Sequence, residues 1–97
     1  MKRRRYLTAY DIRDDKRLRR IHKTMKGYGD ALQYSVFVCD LDNVEKVMMK
    51  QDLCALMDQR VDSVVIVDLG DAASRGTECF EFLGARGPLP MAGPTVL

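Results

Sequence analysis

The residues that most often carry out catalysis are scarce in this chain. There is one histidine, His22, and it lies on a segment crowded with lysine and arginine, a poor setting for a charged base. No GxSxG, HExxH or glycine-rich phosphate loop is present, so serine hydrolases, zinc proteases and nucleotide kinases find no support. The three cysteines, Cys39, Cys54 and Cys79, sit singly among apolar neighbours with no CxxC pair. That pattern excludes a disulfide framework and a cysteine zinc site, and predicts reduced thiols in a cytoplasmic protein. No window approaches the roughly 18 apolar residues of a membrane span, so no membrane partner is expected. The charged start, MKRRRY, reaches Asp11 before an apolar stretch long enough for a secretory signal accumulates.

What the chain does have is an uneven distribution of charge. Residues 1–30 hold eleven Lys and Arg against four Asp, whereas residues 31–97 hold five against ten Asp and Glu. A basic front and an acidic remainder point to a polyanionic partner for the front, or to subunits that complement each other. With 97 residues, 46% of them hydrophobic, the chain has material for a single core.

Periodicity orders the elements. An apolar run from Arg4 or Arg5 to Tyr10 predicts a strand, and a helix follows from near Asp14 to Lys26, with Leu18, Ile21, Met25 and Tyr28 as its buried stripe. Gly27 and Gly29 are expected to close it through the left-handed conformation. Leu32 to Cys39 alternates as one strand. Val44 to Met57, free of Gly and Pro, predicts a second helix whose apolar residues exceed one stripe, implying burial on two sides. The aliphatic run DSVVIVDL, Asp62 to Leu69, reads as a central strand buried on both faces. Cys79 to Leu83 adds a short further strand, and the Pro- and Gly-rich tail after it cannot be helical. The order suits an α+β fold, an antiparallel sheet with two helices on one face. The other face would need a cover, most simply a second copy of the chain.

Asp11 is the side chain with the clearest chemical promise. A carboxylate at the C-terminal end of a first strand is held by rigid backbone, and suits a metal ion; the same position suits a plain cap for the loop ahead of the helix, as Asp14 and Asp15 do. One carboxylate is too little for Mg2+, an objection that two copies of Asp11 across a dimer axis would remove. Beside it, Arg17, Arg20 and Lys23, or Lys16, Arg19 and Lys23, recur at intervals of three and four as a cationic helix face, to which Arg3, Arg4 and Arg5 add. Seven arginines in the first twenty residues exceed what solubility requires, and arginine suits bidentate phosphate contact. No aromatic ladder interleaves these cations, so stacking of bases is weakly indicated.

Taken together, YDI at the first strand end, DDKRLRRI on the helix, the YG that follows, QYSVFVCDL and DSVVIVDLG resemble the CRISPR-associated protein 2 family. The matching residues are Tyr10, Asp11, Arg17, Tyr28, Gly29, Gln33, Tyr34, Ser35, Val36, Phe37 and the segment 62–70, and the likeness covers about residues 4 to 70. The resemblance implies a ferredoxin-like β-α-β-β-α-β fold over residues 1–83, with an additional C-terminal strand, and a tail, 84–97, packing on the partner subunit of a homodimer. It implies a role in spacer acquisition, as a dimer bridging subunits of the CRISPR-associated protein 1 integrase on DNA. For some members it implies a Mg2+-dependent endonuclease acting on RNA or duplex DNA. Asp11 would then be the catalytic and metal-binding residue. Arg13, Arg17, Arg19 and Arg20 would bind nucleic acid, and Tyr10, Ser35 and Phe37 would shape the site.

Overall fold

The computed structural model describes residues 2–73 and 79–85. Six elements follow in the order β1 (Arg4–Asp11), α1 (Asp15–Met25), β2 (Asp30–Gln33), β3 (Val36–Leu41), α2 (Asn43–Leu56) and β4 (Ser63–Asp71). The strands form one antiparallel sheet in the order β2-β3-β1-β4, the ferredoxin-like arrangement. No helix among the described residues is long and apolar enough to cross a membrane.

Local signals fix the helix starts. The Asp14 carboxylate accepts from the Arg17 backbone N–H at 2.9 Å, and Asp15 in the first turn complements the helix dipole. At α2, Asp42 and Glu45 cap reciprocally: Asp42 accepts from Glu45 N at 2.8 Å while Glu45 accepts from Asp42 N at 2.9 Å. The end of α1 differs from expectation. Neither Gly27 nor Gly29 has a positive φ; the chain leaves the helix in tight turns, with Gly27 N on Thr24 O at 3.0 Å and Tyr28 N on Met25 O at 2.9 Å. Gly29 serves another purpose, because β3 passes where its Cβ would be.

Alternation along β1 sends Tyr6, Thr8 and Tyr10 toward the helices, where they meet Ile21, Met25, Phe37, Cys39, Leu41, Met49 and Leu53. Burying each large side chain of this core contributes about 1.5–3 kcal/mol. The register places Leu7, Val38 and Val67 in one row of the opposite face, and Ala9, Val36 and Val65 in the next. That face carries no helix among the described elements, and Val65 and Val67 on it are exposed.

Three expectations are corrected. Leu32 to Cys39 is a hairpin, two strands joined by a turn at Tyr34 and Ser35. Without a positive φ this turn does not follow the favoured Asn-Gly pattern, and a register shift between Ala31 and Gln33 accompanies it. Next, β4 is an edge strand of the single chain, not a central one. Its continuous apolar run arises because Val64 and Ile66 pack on the core while Val65 and Val67 lie on the open face. Third, Cys79 to Leu83 is not a strand; Phe80 and Phe82 instead pack, with Leu7 and Val36, against the buried pair Leu32 and Val38. Helix α2 likewise buries Met49 and Leu53 but leaves Val44, Val47 and Met48 about half exposed, so its second apolar side is open in one chain. Residues 86–97, most of the tail expected to pack on a partner, lie outside the described residues.

Candidate functional site

Asp11 closes β1 and belongs to the open face, its Cα paired with that of Ser63 at the start of β4. Its carboxylate is 64% exposed, and one oxygen lies 3.3 Å from Arg13 Nη2. An acid in so exposed a place is not a core residue, and α1 is already capped by Asp14, so Asp11 does not serve as that cap. Among the described residues there is no group of three or more His, Cys, Asp or Glu able to hold a metal ion. One chain therefore offers Mg2+ a single carboxylate, with the Ser63 hydroxyl-bearing residue opposite; this donor set fits the ion only as half of a site.

The loop after Asp11 is fastened by a residue that sequence reading passed over as the start of a strand. Asp62 is buried and accepts from Arg13 N at 2.8 Å, Asp58 N at 2.8 Å, Arg17 Nε at 2.7 Å and Arg17 Nη2 at 3.1 Å. The Arg17 guanidinium, more than the backbone donors, holds the Asp62 carboxyl well below the usual carboxylate range against the opposing effect of burial. The fork of Arg17 is thus committed to Asp62, a use its helical spacing did not reveal.

The rest of the expected cation bank divides sharply. Lys16, Arg19, Arg20 and Lys23 are exposed, line one shallow cleft on α1, and take part in no salt bridge among the described residues. Arg3, Arg4 and Arg5 do not join them. Arg3 pairs with Glu45 at 2.7 Å, Arg4 with Asp68 at 2.9 Å and Arg5 with Asp40 at 2.8 Å, each partner lying more than thirty residues along the chain. Their charge is spent on holding the start of β1.

The residues expected to shape the site sit beneath it. Tyr10 points into the helix layer, opposite in direction to Asp11; its hydroxyl donates to Tyr34 O at 3.1 Å, and burial above all pushes its pKa up to about 12. Its backbone N–H donates to Ser35 O at 3.0 Å, tying the β2–β3 turn to the strand end that bears Asp11. Phe37 is fully buried, stacked on Tyr10 with ring centroids 6.3 Å apart, and so supports the strand end from within the core.

The sequence and the fold are both similar to those of known proteins. Residues 4–76 match the family model described as CRISPR associated protein Cas2. The chain is similar to the CRISPR-associated endoribonuclease Cas2 1 of Rhodospirillum rubrum, 49% identical over 67 residues that make up 69% of this chain and 66% of that one. It is also similar to the CRISPR-associated endoribonuclease Cas2 of Geobacter sulfurreducens, 43% identical over 69% of this chain and 70% of the relative. Among solved structures, Streptococcus pyogenes Cas2 superposes with a TM-score of 0.72 and 32% identity, covering 82% of this chain and 99% of that one.

Proposed function

Starting from the fact that the chain belongs to the CRISPR associated protein Cas2 family, we propose that it is a nucleic-acid-binding homodimer of the spacer-acquisition machinery and a phosphodiester endonuclease. The observation that carries this reading is the exposed Asp11 carboxylate at the end of β1, on an apolar sheet face that a second copy would cover, with cations on the neighbouring helix that form no salt bridge among the described residues. In such a dimer Asp11 and its symmetry mate would hold Mg2+. When bound, the ion supplies a Lewis acid that lowers the pKa of water and orients the phosphodiester. The chain's own groups do the remainder. Arg13 steadies the Asp11 carboxylate; Asp62 and Arg17 fix the loop that presents both; Lys16, Arg19, Arg20 and Lys23 bind backbone phosphates of RNA or duplex DNA.

A second reading, a non-catalytic scaffold bridging subunits of the CRISPR-associated protein 1 integrase on DNA, is favoured by one observation: the cation cleft on α1 is built without Asp11 and needs no metal. One experiment separates the two. Labelled RNA and duplex DNA are incubated with the purified protein with and without Mg2+, alongside Asp11→Asn, whose folding is checked by circular dichroism. Cleavage that requires Mg2+ and disappears in Asp11→Asn supports the endonuclease. Cleavage unchanged in that variant refutes the metal assignment, and binding without cleavage by the wild type favours the scaffold. Four cations neutralising phosphates give a slope of log K against log salt of about −3.6 on duplex DNA.

A further inference from the structure

Tyr34 lies in the two-residue turn between β2 and β3 and is 52% exposed, yet it is held firmly. Its ring stacks on the His22 imidazole with centroids 4.2 Å apart and planes at 11°. The Tyr34 carbonyl sits 3.0 Å from His22 Nδ1 and 3.1 Å from the Tyr10 hydroxyl. The same His22 Nδ1 lies 3.4 Å from the Tyr10 hydroxyl, and in the tautomer that carries its proton on Nδ1 the imidazole donates to the Tyr34 carbonyl beneath the tyrosine. Phe37 closes the stack edge-on from the core, its ring centroid 5.4 Å from that of His22 at 65°. One face of the Tyr34 ring is therefore covered by the His22 imidazole, and about half of the residue is in solvent.

The helix that carries His22 also bears exposed cations. His22 is three residues after Arg19 and four before Lys26 on the same side of α1, and adjoins Lys23; all three are exposed. The turn that carries Tyr34 is bonded through Ser35 O to Tyr10, the residue before Asp11. A flat, pre-oriented aromatic surface flanked by exposed cations has the chemistry of a stacking seat for a base whose phosphates lie on the helix.

We propose that the Tyr34–His22 stack is a platform for one unpaired nucleobase, with Arg19, Lys23 and Lys26 holding the flanking phosphates. This rests on the nucleic-acid reading above and adds a requirement on the contacted position: its base must be unstacked, as in a single strand or an opened duplex, since a base stacked inside a duplex has no free face to offer. Pre-orientation matters because a loose tyrosine would lose its rotational freedom on binding, whereas this one is ordered beforehand.

The test measures fluorescence anisotropy of a labelled single-stranded RNA and of an equally long strand with abasic residues at its centre, at one fixed salt concentration. Wild type binds the base-bearing strand more tightly. Tyr34→Ala weakens that strand by about tenfold and leaves the abasic strand unchanged, as expected from the loss of one stacked base. Tyr34→Phe, which keeps the ring, retains wild-type binding, and Arg19→Ala weakens both strands alike. Equal binding of the two strands by the wild type overturns the platform and leaves the nucleic-acid reading standing; so does an equal loss on both in Tyr34→Ala. If the wild type binds neither strand nor duplex DNA even at low salt, the nucleic-acid reading itself falls, and the platform with it.

Discussion

Replacing Gly29 by alanine puts the packing of α1 against the sheet to a direct test. A Cβ at this position would stand 2.8 Å from Cys39 Sγ and 2.9 Å from the Val38 carbonyl carbon, and would press on the Val38 carbonyl oxygen as well. Ordinary contact lies at 3.4–4 Å. Val38 and Cys39 are fully buried in β3, a strand bonded on both sides, so neither can yield without moving the sheet. Overpacking costs about 1–3 kcal/mol, and obstruction by backbone belongs at the upper end. For a domain of this size each kcal/mol moves the midpoint by about 4–8 °C, so Gly29→Ala melts about 10–20 °C below the wild type. Gly27→Ala is the internal control. There the new methyl meets only Thr24 O at 3.3 Å at a helix end, and the change stays within about 1 kcal/mol of either sign. Thermal and urea melts of the three proteins, run at one concentration because association contributes to stability, measure the difference. If Gly29→Ala melts no lower than Gly27→Ala, the close passage of β3 beneath residue 29 is wrong.

Two further outcomes follow from the site's supports. Phe37→Ala removes a fully buried ring and lowers stability by about 3–5 kcal/mol in urea titrations, whereas Ser35→Ala, which keeps the backbone carbonyl that Tyr10 uses, stays near the wild type; a stable Phe37→Ala with altered cleavage alone would return Phe37 to the site surface. The Asp62 carboxyl is depressed below its ordinary value of 3.8, so the stability it contributes is fully present above about pH 4 and is lost as pH falls toward its folded value. Urea midpoints should therefore fall from pH 4 downward, and fall less in Asp62→Asn; identical pH profiles for the two proteins would show that Arg17 and the two backbone donors do not favour the ionised form.

What was legible in the sequence was local. The apolar run ending at Tyr10, the Asp14 cap, and the stripe of Ile21 and Met25 each depend on neighbours within a few residues, and those elements fall where expected. Asp11 was visible as a strand-end acid for the same reason. The hairpin was hidden because the turn residues Tyr34 and Ser35 bring no glycine, proline or asparagine, so alternation reads straight through them. Non-local pairings were out of reach. Nothing near Arg4 announces Asp68, and nothing near Arg17 announces Asp62, so committed and available arginines looked alike. Tyr34 and His22 are twelve residues apart on different elements, so a search for aromatics interleaved with the cations does not reveal their stacking.

The two faces of β1 set a lower bound on the size of any ligand that uses the whole surface. Asp11 looks away from the helix layer, while Arg19, Arg20 and Lys23 lie on it. A strand touching both must travel round the end of the sheet and past the thickness of a helix, about 10–12 Å with its side chains. At about 3.4 Å of rise per nucleotide along a stacked strand, that journey takes about three nucleotides, and fewer where the strand is unstacked and extended. On the nucleic-acid reading proposed above, a mononucleotide would reach one station or the other, and only a longer strand would occupy both.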